Sequence, residues 1–262
     1  MYEKKWKVAG SLLVSGISLA FVFSMRSINL EGLGLLLRSP SFWAAVLAAH
    51  QTATFLTAVR WRILISRAGH PVPELRRLFF VSWAAQTAGL FPGGSLFTDA
   101  SKLGYMAKGL DMPVSDSART ILADRLYALG ALFLILCFLT LLLHAGPLVL
   151  LTLAGLLALS KQTRVLLGLS AAVHLIKAAL ILFAIQGMPE PSGHFALESL
   201  QRTFVGLTAE AIPISWNGLG IGHLAFEFQA PGRGAEVYNA FFLAKIVTMI
   251  LGIFPLLWLL YS

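Results

Sequence analysis

Long runs of uncharged, mostly apolar residues recur along this chain and constrain its fold more than any other feature. Seven runs approach or exceed the length that crosses a bilayer, and the last two of them hold one lysine each: 8–25, 41–59, 78–98, 126–143, 145–160, 165–187 and 237–261. A spanning helix needs about 20 apolar residues. Because 57% of the residues are apolar and only 12% are charged, too little polar surface remains for a soluble protein. The fold class predicted is an all-α polytopic membrane protein.

The distribution of lysine and arginine predicts the orientation of these spans, because basic loops stay on the cytoplasmic side. The segment before the first run holds Lys4, Lys5 and Lys7, which favours a signal anchor there. The loop after the second run is also strongly basic, whereas residues 188–200 hold no lysine or arginine. The pattern predicts a multi-pass protein of the cell membrane with both termini in the cytoplasm.

The run 78–98 does not fit a plain crossing, because crossing there would place Lys102, Lys108 and Arg119 outside. Its interruption, Pro92-Gly93-Gly94, removes a helical hydrogen bond and permits a turn. We therefore expect a re-entrant hairpin that opens to the cytoplasm.

A second interrupted segment, 197–228, is expected to form another re-entrant hairpin, open to the outside. Its breaks are Pro213 and the glycines Gly218, Gly220 and Gly222. About six spans then remain, in one transmembrane domain over 1–262. Its halves, about 1–144 and 145–262, would form an inverted repeat. Transporters with inverted repeats place their substrate site near the midplane, at the broken helices.

Two lysines inside spans are candidate substrate ligands, since a charge at the bilayer centre is costly unless it is paired or hydrated. Lys177 lies halfway along its run, and Lys245 lies eight residues into the last run. A structural ion pair explains Lys177 equally well, and snorkelling to the interface explains Lys245. His50 and His174 stand alone in apolar runs and are interpreted as interhelical hydrogen-bonding residues.

Further polar residues near predicted membrane boundaries or breaks are candidates of the same kind. Asp124 and Arg125 are predicted to open a span, where a helix cap with a local ion pair is the alternative to substrate binding. Arg60 and Arg62 would lie near cytoplasmic head groups. They would either bind a lipid phosphate in a bidentate way or only anchor the helix at the cytoplasmic surface. The second hairpin adds Glu210, Ser215 and Asn217 as candidates. The alternative for Ser215 and Asn217 is that they form hydrogen bonds with backbone groups freed by the proline.

An ordered set of short motifs resembles the lysylphosphatidylglycerol synthase transmembrane family, which includes the flippase domain of multiple peptide resistance factor. The motifs are Arg60-Trp61-Arg62, Pro92-Gly93-Gly94 with Asp99-Ala100-Ser101-Lys102, Ala123-Asp124-Arg125-Leu126, and Pro213-Ile214-Ser215-Trp216-Asn217-Gly218-Leu219-Gly220. The resemblance covers nearly the whole chain. It implies translocation of a phospholipid, an aminoacyl-phospholipid or a polyprenyl-linked lipid, and it adds Asp99, Lys102 and the hairpin glycines to the candidate ligands.

This chain departs from the family pattern at both hairpins. Ser95-Leu96-Phe97-Thr98 stands where the family has further glycines, and Gly222-His223 stands where it has an arginine-glutamate pair. His223 and Glu227 are therefore candidate replacements in the second hairpin. The synthase domain of the full-length enzymes does not occur within these 262 residues, so lipid aminoacylation is not expected of this polypeptide.

Other function classes lack visible residues. The glycines at 218–222 follow no strand, so nucleotide binding there is rejected, and no metal or cofactor motif is found. The net charge of +8 is spread over membrane-flanking loops and favours anionic lipid over nucleic acid as partner. Two alternatives to a lipid carrier stay open. One is a membrane enzyme with Asp99, Asp124 or Glu210 as base, and the other is a scaffold for a soluble synthase. The sequence leaves a homo-oligomer open as well.

Overall fold

A computed structural model describes residues 38–89, 95–144, 149–186 and 197–211, together with 245, 247, 248, 250–252 and 254. The first four ranges form seven helices, which we number in chain order: α1 Pro40–Arg67, α2 Leu75–Ala88, α3 Ser95–Gly109, α4 Val114–His144, α5 Val149–Ala158, α6 Lys161–Gln186 and α7 Leu197–Ala211. Helix is the only regular secondary structure in these ranges. The prediction of an all-α fold is confirmed for the residues that the structure describes.

Three of these helices are long and apolar enough to cross a membrane. They are α1, α4 and the part of α6 from Lys161 to Phe183. They contain the runs predicted as spans at 41–59 and 126–143, and residues 165–183 of the run 165–187. The described part of the run 145–160 is α5, whose 10 residues fall short of the roughly 20 that a crossing needs. The predicted spans 8–25 and 237–261 lie wholly or largely outside the described residues.

The helix ends follow local sequence. Pro40 occupies the first turn of α1, and the Ser39 hydroxyl accepts a hydrogen bond from the Phe42 amide. After α1 ends, Gly69 adopts a φ of 78°, a conformation that glycine reaches without strain. The Ser160 hydroxyl caps α6 by accepting from the Thr163 amide.

The helices enclose two apolar cores at opposite ends of the bundle. One joins the start of α1 to α4, α6 and α7, and contains Phe42, Leu132, Ile181 and Phe204. The other joins the end of α1 to α2 and α3 around Trp61. We call the end of the bundle near Arg67 the basic end and the end near Pro40 the far end.

The N-terminal parts of α4 and α6 also lie at the basic end. This follows from Arg60, seven residues before the end of α1, whose guanidinium contacts Asp124 of α4 and Ser170 of α6. Lys108, in the last turn of α3, and Lys161, the first residue of α6, thus lie at the same end of the bundle.

Helices α2 and α3 form an antiparallel pair that enters the bundle from the basic end. The Arg77 guanidinium, near the start of α2, lies 5.6 Å from the ring centroid of Tyr105, near the end of α3. Deeper in the bundle, Gln86 Nε2 donates to Thr54 Oγ1 of α1 at 3.2 Å. The break predicted at Pro92-Gly93-Gly94 falls between the two helices, outside the described residues.

Helix α7 enters the bundle from the opposite end. Gln201, in its second turn, donates from Nε2 to Thr140 Oγ1 at 2.9 Å, and Thr140 lies four residues before the end of α4. Phe204 and Leu207 then pack into the core at the far end. Helices α2 and α7 therefore start at opposite ends of the bundle.

Candidate functional site

Arg60 and Asp124 form a buried ion pair between α1 and α4. Arg60 Nε donates to Asp124 Oδ1 at 2.6 Å, and Arg60 Nη1 donates to the Ser170 hydroxyl of α6 at 2.7 Å. The two charged residues are 5% and 8% exposed. A single guanidinium, with donors in a fixed planar fork, thus connects three helices.

Lys102 of α3 brings a second cation to the same carboxylate. Its Nζ lies 3.8 Å from Asp124 Oδ2 and 5.1 Å from the ring centroid of Trp61, and the residue is 7% exposed. The indole face stabilises the ammonium by cation–π attraction. Asp124 therefore faces two buried cations, and these three side chains together carry an excess of positive charge.

A second ion pair lies beside the first and joins α3 to α4. Arg125 donates from Nε and Nη2 to the two carboxylate oxygens of Asp99, at 3.0 and 2.9 Å. This bidentate pair is partly exposed, unlike the Arg60 pair. We call Arg60, Asp99, Lys102, Asp124 and Arg125 the charged cluster, which unites three cations and two carboxylates.

Two local expectations from the sequence are wrong. Asp124 does not cap a helix, because α4 begins at Val114, ten residues earlier, and its partners are on α1 and α3 rather than at Arg125. Arg60 does not face the head groups beside Arg62: Arg60 is buried and Arg62 is exposed. Two residues apart on a helix, they point to nearly opposite sides.

The basic residues inside predicted spans gather around α1. Lys177 and Lys245 are both partly buried, and both lie close enough to His50 for their charges to act on its imidazole. The Nε2 atom of His50 is buried and has no hydrogen-bond partner among the described residues. His174 of α6 contacts the Ala128 carbonyl of α4 through Nε2 at 3.0 Å, which confirms the interhelical role predicted for it.

Several candidates lie where the structure describes no side chain. Glu210 falls in the last turn of α7, and its side chain is not among those described. The others lie outside the described residues: Pro92, Gly93, Gly94, Pro213, Ser215, Asn217, Gly218, Gly220, His223 and Glu227.

Sequence reasoning missed two residues of the site. Ser170 is a single serine in the apolar run 165–187, and nothing in the sequence marks it as a partner of Arg60. Trp61 stands between two arginines, but its position over Lys102 depends on how α3 packs against α1. In the described ranges, no three His, Cys, Asp or Glu side chains lie together in a way that would hold a metal ion.

A comparison with protein-family models connects this site to known proteins. The model described as "Lysylphosphatidylglycerol synthase TM region" matches residues 8–257. The chain belongs to this family. Comparisons with curated proteins and with solved structures gave no match. Membership in the lysylphosphatidylglycerol synthase TM region family, together with three long apolar helices, establishes a multi-pass membrane protein.

Within this family member, the charged cluster has the chemistry of an anion site. Lys102 presents an ammonium whose nearest carboxylate already forms a shorter bond to Arg60. The single negative charge of Asp124 cannot neutralise both Arg60 and Lys102. A phosphate group near Lys102 would neutralise the remaining positive charge. Both carboxylates of the cluster are held by guanidinium groups, Asp124 by Arg60 and Asp99 by Arg125.

Proposed function

We propose that this protein is a lipid translocase that moves a phospholipid, aminoacyl-phospholipid or polyprenyl-linked lipid between the leaflets of the cell membrane. The observation that carries the proposal is the buried Lys102, which shares the Asp124 carboxylate with Arg60. Burying a cation whose charge is only partly neutralised inside an apolar bundle costs several kcal/mol. Transient binding of a lipid phosphate would offset that cost and gives the cation a function.

The arrangement of helices supports a route to this site. Helices α2 and α3, with 14 and 15 residues, are each too short for a crossing of roughly 20 residues, and they enter from the basic end. Helix α7 enters from the far end. We propose that both segments are re-entrant, that about six spans surround them in an inverted repeat, and that both termini are cytoplasmic.

Other candidates would act at other points along the same route. Lys177 and Lys245, near His50, provide positive charge deeper in the bundle than the charged cluster. Arg62, exposed on α1, would meet lipid phosphate at the surface. Glu210, Ser215, Asn217, His223 and Glu227 belong to the second hairpin, where a carboxylate suits the amine of an aminoacyl lipid.

The enzyme alternative is weaker than the carrier. A general base needs a carboxylate free to take a proton, whereas Asp124 and Asp99 each accept hydrogen bonds from an arginine.

The direct experiment is leaflet exchange in liposomes that contain the purified protein, with labelled lipids of different head groups. We expect exchange of at least one anionic lipid, and about tenfold slower exchange in Lys102→Gln, since a charge-assisted hydrogen bond contributes roughly 1.5–3 kcal/mol. Lys108→Gln, an exposed lysine on the same helix, is the matched control. Exchange equal to that of empty vesicles for every lipid class contradicts the proposal, and product formation in detergent would favour the enzyme.

A further inference from the structure

A cleft at the basic end lies apart from the charged cluster. It encloses about 400 Å³ between the end of α1 and the first turns of α4, and Arg67, Arg119 and Tyr127 contribute polar groups to its wall. Leu64 and Ala123 supply apolar surface. A volume of this size suits a head group or another small ligand rather than a whole lipid.

The charges around this cleft favour an anion. Asp116 supplies the carboxylate, and it already lies 3.2 Å from His70 Nε2 and 3.6 Å from Arg119 Nη1. Arg67 donates from Nη1 to the Tyr127 hydroxyl at 3.0 Å, a neutral partner. Because that hydroxyl accepts from Arg67, its own proton remains to donate. Two guanidinium groups and a phenol O–H together match the oxygens of a phosphate.

An apolar stripe on α4 begins beside the cleft. Leu122, Leu126, Leu129 and Phe133 are 60%, 60%, 47% and 66% exposed, and they share one face of the helix. With about 100° of rotation per residue, Leu126 lies only about 20° from Arg119 around the helix axis. The stripe extends over roughly 16 Å of helix. The hydrocarbon of one leaflet is roughly 15 Å deep, half of the bilayer core.

We propose that this cleft and stripe together form a binding site for an anionic phospholipid, with the phosphate between Arg67 and Arg119 and the acyl chains along α4. We choose a lipid over free phosphate because the polar cleft adjoins an exposed apolar stripe. The length of that stripe matches the depth of one leaflet. The site does not depend on the proposed translocation, because a lipid can occupy it whether or not it is moved.

The test is binding of phosphatidylglycerol to the full-length protein, measured by native mass spectrometry from detergent. We expect retained phosphatidylglycerol, and about tenfold weaker binding in the double variant Arg67→Gln/Arg119→Gln, since basic residues near the membrane surface attract anionic lipid individually. Arg164→Gln removes an exposed guanidinium outside the cleft and should leave binding unchanged. Tyr127→Phe, which keeps the ring, should weaken binding by a smaller factor.

Two further arms decide the source of the phosphate. Inorganic phosphate at millimolar concentration should not displace the lipid, and phosphatidylcholine should bind more weakly than phosphatidylglycerol. Displacement by inorganic phosphate would identify a free-anion site and overturn the lipid assignment. Equal loss of binding in Arg164→Gln, or unchanged binding in the double variant, would show that general surface charge attracts the lipid and would overturn the site itself.

Discussion

Asp124 is the carboxylate that partly neutralises the buried cations Arg60 and Lys102. Its two oxygens separately face Arg60, at 2.6 Å, and Lys102, at 3.8 Å. A buried carboxylate shared between cations stabilises the fold mainly by preventing their repulsion, since desolvation offsets much of the direct attraction. Removal of the carboxylate therefore has a larger consequence than removal of either cation.

For Asp124→Asn we expect a loss of about 3–5 kcal/mol in the free energy of unfolding, because two cations then stay buried without their carboxylate. Thermal unfolding of the purified protein in detergent measures the change. Asp116→Asn, in the same helix but with a partly exposed side chain, should cost less than about 1 kcal/mol.

The double variant Asp124→Asn/Arg60→Gln checks the mechanism of that loss. It should recover part of the stability lost in Asp124→Asn, because one of the two uncompensated cations is gone. Equal destabilisation by Asp124→Asn and Asp116→Asn would show that burial of charge is not the cause.

At the scale of residues, the sequence identified most members of the charged cluster as candidates, but not which of them pair. Asp99, Lys102, Asp124 and Arg125 belong to motifs that could be recognised, and the structure brings them together. Ser170, the second partner of Arg60, is 110 residues distant in sequence and carries no signal of its own. Pairing over that distance depends on helix packing, which a single sequence does not show.

Among the elements, α3 and α4 define the accessible side of the site. A short connection joins them, with Asp111 at a φ of 49° and the Met112 amide donating to the Met106 carbonyl. The bidentate Arg125–Asp99 pair then holds the two helices side by side. Hydropathy placed the start of this span near Leu126, because the first turns of α4 are polar and lie before the apolar stretch.

Exchanging both charges of the Asp99–Arg125 pair should lower the free energy of unfolding less than the two single charge reversals do in sum. Asp99→Arg or Arg125→Asp alone should lower the free energy of unfolding by about 1 kcal/mol, because the pair is partly exposed. The double variant Asp99→Arg/Arg125→Asp should recover about half of the summed loss, measured by the same thermal unfolding. No recovery would indicate that each residue acts through other contacts.

The position of α7 can be measured by cross-linking. In a Cys137→Ala background, cysteines replacing Thr140 and Gln201 should react together with a short bifunctional thiol reagent, since the native side chains lie 2.9 Å apart. Cysteines replacing Leu129 and Gln201 are the matched control, because Leu129 is exposed on α4 about 16 Å nearer the basic end along the helix axis. Efficient cross-linking of the control pair alone would place α7 elsewhere.

In the molecule as a whole, the described helices start at two opposite ends of the bundle. The basic end gathers the end of α1, the starts of α2, α4 and α6, and the charged cluster, whereas α7 starts at the far end. Hydropathy was sufficient to predict the three long helices α1, α4 and α6, and the sidedness inferred from the basic loops stays a prediction. Neither hydropathy nor the basic loops revealed that Arg60 is the residue that connects three of the helices, because burial of a charge depends on its partners.

Accessibility of single cysteines from the two sides of the membrane tests the proposed arrangement most directly. Cysteines replacing Lys108, Lys161 and Ser199 in the Cys137→Ala background are treated with an impermeant maleimide from one side and then from both. Positions 108 and 161 should react from one side only, and position 199 from the other. Reaction of 108 and 161 from different sides, or of all three from the same side, would contradict entry of the two broken segments from opposite faces.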